Sequence, residues 1–112
     1  MPSYKTARNA EDIRRELSDI MRGLKDPRVT GMLSIVSLDL SRDGSWCKVY
    51  ISSLDGLEAS QKAVKGLANA SGFIRREIGS RLSMRHTPEF LFFADNGIAH
   101  SADINKKLKD LI

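Results

Sequence analysis

A chain can do chemistry with thiols, imidazoles, carboxylates or cations, and the neighbours and spacing of each decide what is open to it. The thiol here is Cys47 alone, and the imidazoles are His86 and His100. Cys47 falls on the same face of an alternating run as Val49 and Ile51, against Trp46, Lys48 and Tyr50, so it reads as a buried, inert thiol. The histidines have no adjacent cysteine and no HExxH spacing, so no metal site is expected. Neither GxGxxG nor GxxxxGK[ST] occurs, which removes the usual backbone cradle for a nucleotide. No catalytic residue, metal or cofactor is expected, and the chain reads as non-enzymatic.

Cations remain. Between Gly56 and Arg85 six basic residues (Lys62, Lys65, Arg75, Arg76, Arg81, Arg85) face two acidic ones (Glu58, Glu77), a surplus of four that equals the net charge of the whole chain, +4. A basic balance favours partners that carry phosphate. A solvated helical face is the simpler account of such a run, so charge alone does not carry the phosphate-partner reading.

The elements that must position these cations follow from periodicity. Ala10, Ile13, Leu17, Ile20 and Leu24 recur at three- and four-residue steps, giving a first helix that stops near Gly23. KDPRVTG follows as a loop carrying Lys25 and Arg28, with Pro27 and Gly31 as helix breakers. Met32–Leu40 and Trp46–Ser52 read as strands, and Asp43–Gly44 between them gives an antiparallel hairpin with Arg42 at its tip. A second helix places Leu57, Val64, Leu67 and Ala68 on one side and Glu58, Lys62, Lys65 and Asn69 on the other.

Ala70, Ser71 and Gly72 interrupt that helix. A Gly/Ser pair weakens the hydrogen-bond ladder and is an identifiable cause of a kink. Beyond it Ile74, Ile78 and Leu82 continue at four-residue steps, with Arg75 and Arg76 pointing away. Arg81 falls inside the apolar arc, so the helix either frays near Gly79 or sends that side chain outward. Pro88 opens EFLFFA, read as a short buried strand, and Asp95–Gly97 make a turn before a last helix through Ile104, Leu108 and Leu111 with Ser101 as its cap. The expected class is α+β: one layer of helices over a three-stranded sheet.

A length of 112 residues with 41% hydrophobic content furnishes one modest core. No apolar run spans a bilayer, no signal peptide is evident, and a lone cysteine forms no internal disulfide, so no membrane partner and a cytoplasmic location are expected. In KH domains two helices meet at a GxxG loop that clamps a single-stranded nucleic acid. The helix pair here occupies the corresponding place, but its tighter join favours a broad electrostatic footprint over a four-nucleotide clamp.

Four blocks, KDPR (Lys25–Arg28), SRDGSWCKVY (Ser41–Tyr50), ASGFIRREIG (Ala70–Gly79) and TPEFLFFADN (Thr87–Asn96), resemble the motifs of the bacterial ribosome-binding factor A family in order and spacing. The resemblance implies a KH-like fold of the second topological type over residues 1–112, the first six flexible, with the kink at Ala70, Ser71 and Gly72 in place of GxxG. It further implies a non-enzymatic assembly factor, monomeric when free. Such a factor binds the free small ribosomal subunit through 16S rRNA near the platform and neck, and assists late rRNA maturation and cold adaptation. Lys62, Lys65, Arg75 and Arg76 are then the foremost RNA contacts, being off the apolar stripe, with Lys25, Arg28, Arg42 and Lys48 next. The rival within binding modules is a free-standing single-stranded RNA regulator, against which the missing GxxG and scarce exposed aromatics speak. An enzyme built on Cys47 and a protein-docking module anchored by Ile104, Leu108 and Leu111 complete the alternatives.

Overall fold

The computed structural model describes residues 2–95, with side chains from residue 9 onward. The expected last helix through Ile104, Leu108 and Leu111, its cap Ser101, and His100 lie outside the described residues. In chain order come α1 (Pro2–Gly23), β1 (Leu33–Leu40), β2 (Trp46–Ser53), α2 (Leu57–Asn69), α3 (Ser71–Arg81) and β3 (Glu89–Ala94).

The stripe of α1 buries Ile13, Leu17, Ile20 and Met21, and the helix begins well before its first apolar position at Ala10. β1 and β2 pair antiparallel through the expected hairpin. Its turn is tied by one carboxylate: Asp43 Oδ1 accepts from the Ser45 hydroxyl (2.7 Å), the Ser41 hydroxyl (2.8 Å) and the Ser45 amide (3.1 Å), while Gly44 supplies the positive φ of 74°. These bonds, that from the Ser45 side chain foremost, hold the Asp43 carboxyl below its ordinary value.

β3 lies parallel to β2, with Cys47 opposite Phe90 and Val49 opposite Phe92. Parallel neighbours need a long crossover, which α2 and α3 provide. The sheet order is β1-β2-β3, so one edge of β3 has no strand partner among the described residues. Among the described residues, helices cover one face. Ile35, Cys47, Val49, Ile51, Phe90 and Phe92 point into the core against Leu67, Ile74 and Ile78, each large side chain there stabilising the fold by roughly 1.5–3 kcal/mol.

Two sequence expectations need correction. EFLFFA is not buried on both faces: Phe90 and Phe92 are buried, whereas Leu91 and Phe93 are 39% and 40% exposed, because nothing among the described residues lies over the outer face of the sheet. The buried stripe of α2 runs through Ser60, Ala63, Gly66 and Leu67, while Ala68 is exposed and Val64 half-buried. The reason is Gly66. A Cβ there would come within 2.7 Å of Val29 Cγ2, so the glycine lets the KDPRV loop seat Val29 directly on the helix.

The helix is interrupted at Ala70, ahead of the Ser71–Gly72 pair. Ala70, at φ −93° and ψ 8°, is the junction residue, closing α2 and opening α3. Its N–H donates to the carbonyls of Gly66 and Leu67, and its own carbonyl accepts from Ile74 N–H at 2.9 Å. Ser71 gives no side-chain cap, and Gly72 sits in the first turn of α3 without a positive φ. α3 does not fray at Gly79 but runs to Arg81. It ends in a Schellman arrangement: Met84 N–H donates to Gly79 O (3.0 Å) and Ser83 N–H to Ser80 O (3.4 Å), with Ser83 in the left-handed region at φ 51°.

Candidate nucleic-acid interface

Two contacts tie the helix pair to the two ends of β3. At one end Lys65 lines a cleft of about 490 Å³ with Gln61, Val64, Phe92, Phe93 and Ala94. At the other, Arg75 Nε donates to the carbonyl of Thr87 (3.1 Å), two residues ahead of β3. The topology therefore sets Lys65 and Arg75 along the same strand edge, with the Ala70 junction between them in sequence. Arg76 is exposed and makes no hydrogen bond or ion pair among the described residues. Lys62 is exposed on α2 and loosely paired with Glu58 at 3.8 Å, one turn away. A Cβ on Gly72 would meet nothing within 4 Å, so this glycine is not required by packing inside the chain.

The other sequence candidates lie elsewhere. Arg28 is folded onto Asp26 through two side-chain bonds of 2.8 and 3.1 Å, with its backbone N–H bonded to the same carboxylate at 2.8 Å; the side-chain bond from Arg28 is the main cause that lowers the Asp26 pKa. Lys25 and Arg42 are exposed without a partner among the described residues. Lys48 sits on the opposite face of the sheet, 5.1 Å from the centre of the Trp46 ring, a cation–π distance.

Arg81 leaves the cationic surface altogether. It reaches from α3 to α1, with Nη1 2.7 Å from Asp19 and 3.4 Å from Glu16, and Nη2 3.6 Å from Glu77. The Asp19 bond, the largest cause, raises the Arg81 pKa, and the same bond lowers that of Asp19. The basic surplus of the 56–85 segment thus includes a cation used inside the fold.

One feature escaped sequence reasoning. The outer face of the sheet carries Trp46 and Tyr50 on β2 and Leu91 and Phe93 on β3, with Tyr50 and Phe93 stacked at 5.3 Å between ring centres. The signal was the strict alternation of Trp46, Lys48 and Tyr50; the parallel pairing of β3, which adds Phe93, was not in it. Accessible aromatics are therefore less scarce than the sequence suggested.

Cys47 has no accessible surface, and burial, with Asp39 as a minor cause, pushes its thiol up to about 12. No group of three or more His, Cys, Asp or Glu among the described residues could hold a metal ion. No described helix is long and apolar enough to cross a membrane.

The αββααβ order, with β3 parallel to β2 in a three-stranded sheet, defines a KH-like domain of the second topological type. The profile of the Ribosome-binding factor A family matches residues 5–108, and the chain belongs to that family. It is 46% identical over 108 residues to ribosome-binding factor A of Moorella thermoacetica, covering 92% of this chain and 88% of that one. The crystal structure of ribosome-binding factor A from Thermus thermophilus superimposes with a TM-score of 0.68 at 27% identity, over 80% of this chain and 94% of that one. A Thermus thermophilus ribosome-binding factor A homology model fitted into a cryo-electron-microscopy map of a 30S complex gives 0.64 at 27% identity, over 76% and 89%.

Proposed function

We propose that this chain is a non-catalytic assembly factor that binds the free small ribosomal subunit through 16S rRNA, assists late maturation of that RNA and supports growth in the cold. The observation that carries the reading is the set of exposed cations Lys65, Arg75 and Arg76 on the helix pair, Lys65 and Arg75 lying at the two ends of β3, in a chain whose family relative from Thermus thermophilus was fitted into a 30S complex. Each cation that neutralises a phosphate releases counterions, so this helix surface holds an rRNA backbone by charge, with open space at Gly72 beside the Ala70 junction. Lys62 extends the same surface; Lys25, Arg28, Arg42 and Lys48 are secondary contacts from other faces. In this reading the free protein is a monomer and resides in the cytoplasm.

The reading excludes a nucleophilic role for Cys47, whose thiol stays protonated near neutrality. The native protein is expected to resist a thiol-specific reagent that labels it once unfolded. Sucrose-gradient sedimentation of a lysate at low and high salt tests the main proposal. Co-migration with small subunits that is lost at high salt is expected; migration only as free protein at every salt overturns it. A second reading, a single-stranded RNA regulator, draws on the Trp46, Tyr50 and Phe93 face, since bases stack on such rings. It requires tight binding to short unstructured RNA with no preference for subunits.

A further inference from the structure

A second cleft lies on the far side of the fold, between α1 and the start of β1. Its volume is about 440 Å³, within the range of small-ligand sites. Arg14, Ser18 and Arg22 share the face of α1 that lines it, at four-residue steps, and Thr30 and Ser34 complete the polar rim from the loop and strand opposite. The floor is apolar: Met21, Val29 and Ile35 are each at most 6% exposed.

The rim is equipped for an oxyanion. Arg14 Nη2 donates to the carbonyl of Ile35 at 2.6 Å, where the β1–β2 register shifts between Ile35 and Ser37. A bulge leaves its extra residue outside the ladder, and the arginine binds beside it. One guanidinium nitrogen is so occupied; the fork has further donors, and the bond holds it at the mouth. Arg22 is only loosely committed, since its partner Asp19 lies 3.7 Å away and is held closer by Arg81, at 2.7 Å. The hydroxyls of Ser18, Thr30 and Ser34 make no hydrogen bond among the described residues, and no carboxylate is among the lining side chains, the nearest being that of Asp55, whose Oδ2 lies behind Gly31. Two guanidiniums and three unengaged hydroxyls over an apolar floor are a donor set for phosphate with room beneath for a sugar or base.

We propose that this cleft binds the phosphoryl group of a nucleotide unit, with Arg14 and Arg22 on the phosphate oxygens and Met21, Val29 and Ile35 against the apolar part. It is separate from the Lys65 cleft beside β3 and stands independently of the rRNA reading. The unit is either a free 5′-mononucleotide or one residue of an RNA strand.

The test is an NMR titration of amide shifts in the full chain with three probes: inorganic phosphate, 5′-AMP and hexauridylate. Saturable shifts at Thr30, Gly31 and Ser34 with AMP are expected, with AMP binding about tenfold tighter than phosphate because of the floor. Arg14→Gln should weaken binding by about tenfold or more and Arg22→Gln by several-fold. Arg14 also supports Ile35, so Arg22→Gln, whose side chain is 77% exposed, keeps the test valid if the first variant unfolds. Hexauridylate binding tighter than AMP assigns the site to an RNA strand, and equal or weaker binding assigns it to a free nucleotide. The proposal is overturned by absent shifts at residues 30–34 with all three probes, by AMP binding no tighter than phosphate, or by unchanged affinity in Arg22→Gln.

Discussion

Arg81 and Arg76 lie on one helix, five positions apart, and the fold uses them oppositely. On the flank of α3 that meets α1, Arg81 is clamped by Asp19, Glu16 and Glu77, its side chain 32% exposed. On the outer flank Arg76 is exposed and Arg75 spends one nitrogen on Thr87. The contrast teaches that a run of basic residues is two populations, one closing the molecule and one facing outward. Only partners from another element separate them.

Four experiments would sharpen or break that division. The largest effect belongs to the outward population: Arg75→Glu with Arg76→Glu should weaken subunit binding on the order of a hundredfold, since each reversal replaces attraction to phosphate by repulsion. The Arg76→Glu change alone should move stability by no more than about 0.5 kcal/mol, as surface changes away from packing do. Tight binding by the double variant would break the division.

Next in size is Arg81→Glu, which sets a fourth carboxylate among Asp19, Glu16 and Glu77. It should lower Tm by several degrees in a thermal melt while leaving the salt dependence of subunit binding unchanged. A loss of RNA binding at unaltered Tm would move Arg81 into the outward group.

A smaller effect appears in acid. The Arg81 bond holds the Asp19 carboxyl below its ordinary range, so the latch contributes stability that is fully present above the unfolded value of about 3.9 and is lost as pH falls through the lower folded value. Arg81→Gln should therefore flatten the acid limb of the stability profile below about pH 4, as followed by urea denaturation at successive pH values. An unchanged limb would show that the latch does not persist in solution.

The smallest concerns the end of the same helix. Ser83 holds φ 51°, a conformation that favours glycine, and Ser83→Gly should stabilise by up to about 1 kcal/mol. That change leaves both cation groups in place, and binding should not move.

These distinctions also mark what could be read before the coordinates. The order helix, hairpin, broken helix pair and strand was legible because each element carries a local signal: the Ile13, Leu17, Ile20 stripe, the Asp43–Gly44 turn, the apolar steps on each side of Ala70. Lys62, Lys65, Arg75 and Arg76 were correctly placed off the core by helical phase. The fate of Arg81 was not legible, since Asp19 is 62 residues distant in the chain. The one-sided burial of β3 and the phase of α2 were hidden for the same reason, as both depend on what packs opposite: no described residue over Phe93, and Val29 against Gly66. The cleft of Arg14 and Arg22 needed the α1–β1 approach, which no periodicity within either element announces.

The most direct measurement of the central claim is the affinity of purified small subunits for the native chain and for Arg76→Gln across a salt series. Removing one phosphate contact should make the slope of log affinity against log salt shallower by roughly 0.7 to 0.9. Identical slopes and affinities for the two proteins would contradict the claim that the outward face of α3 meets the rRNA backbone.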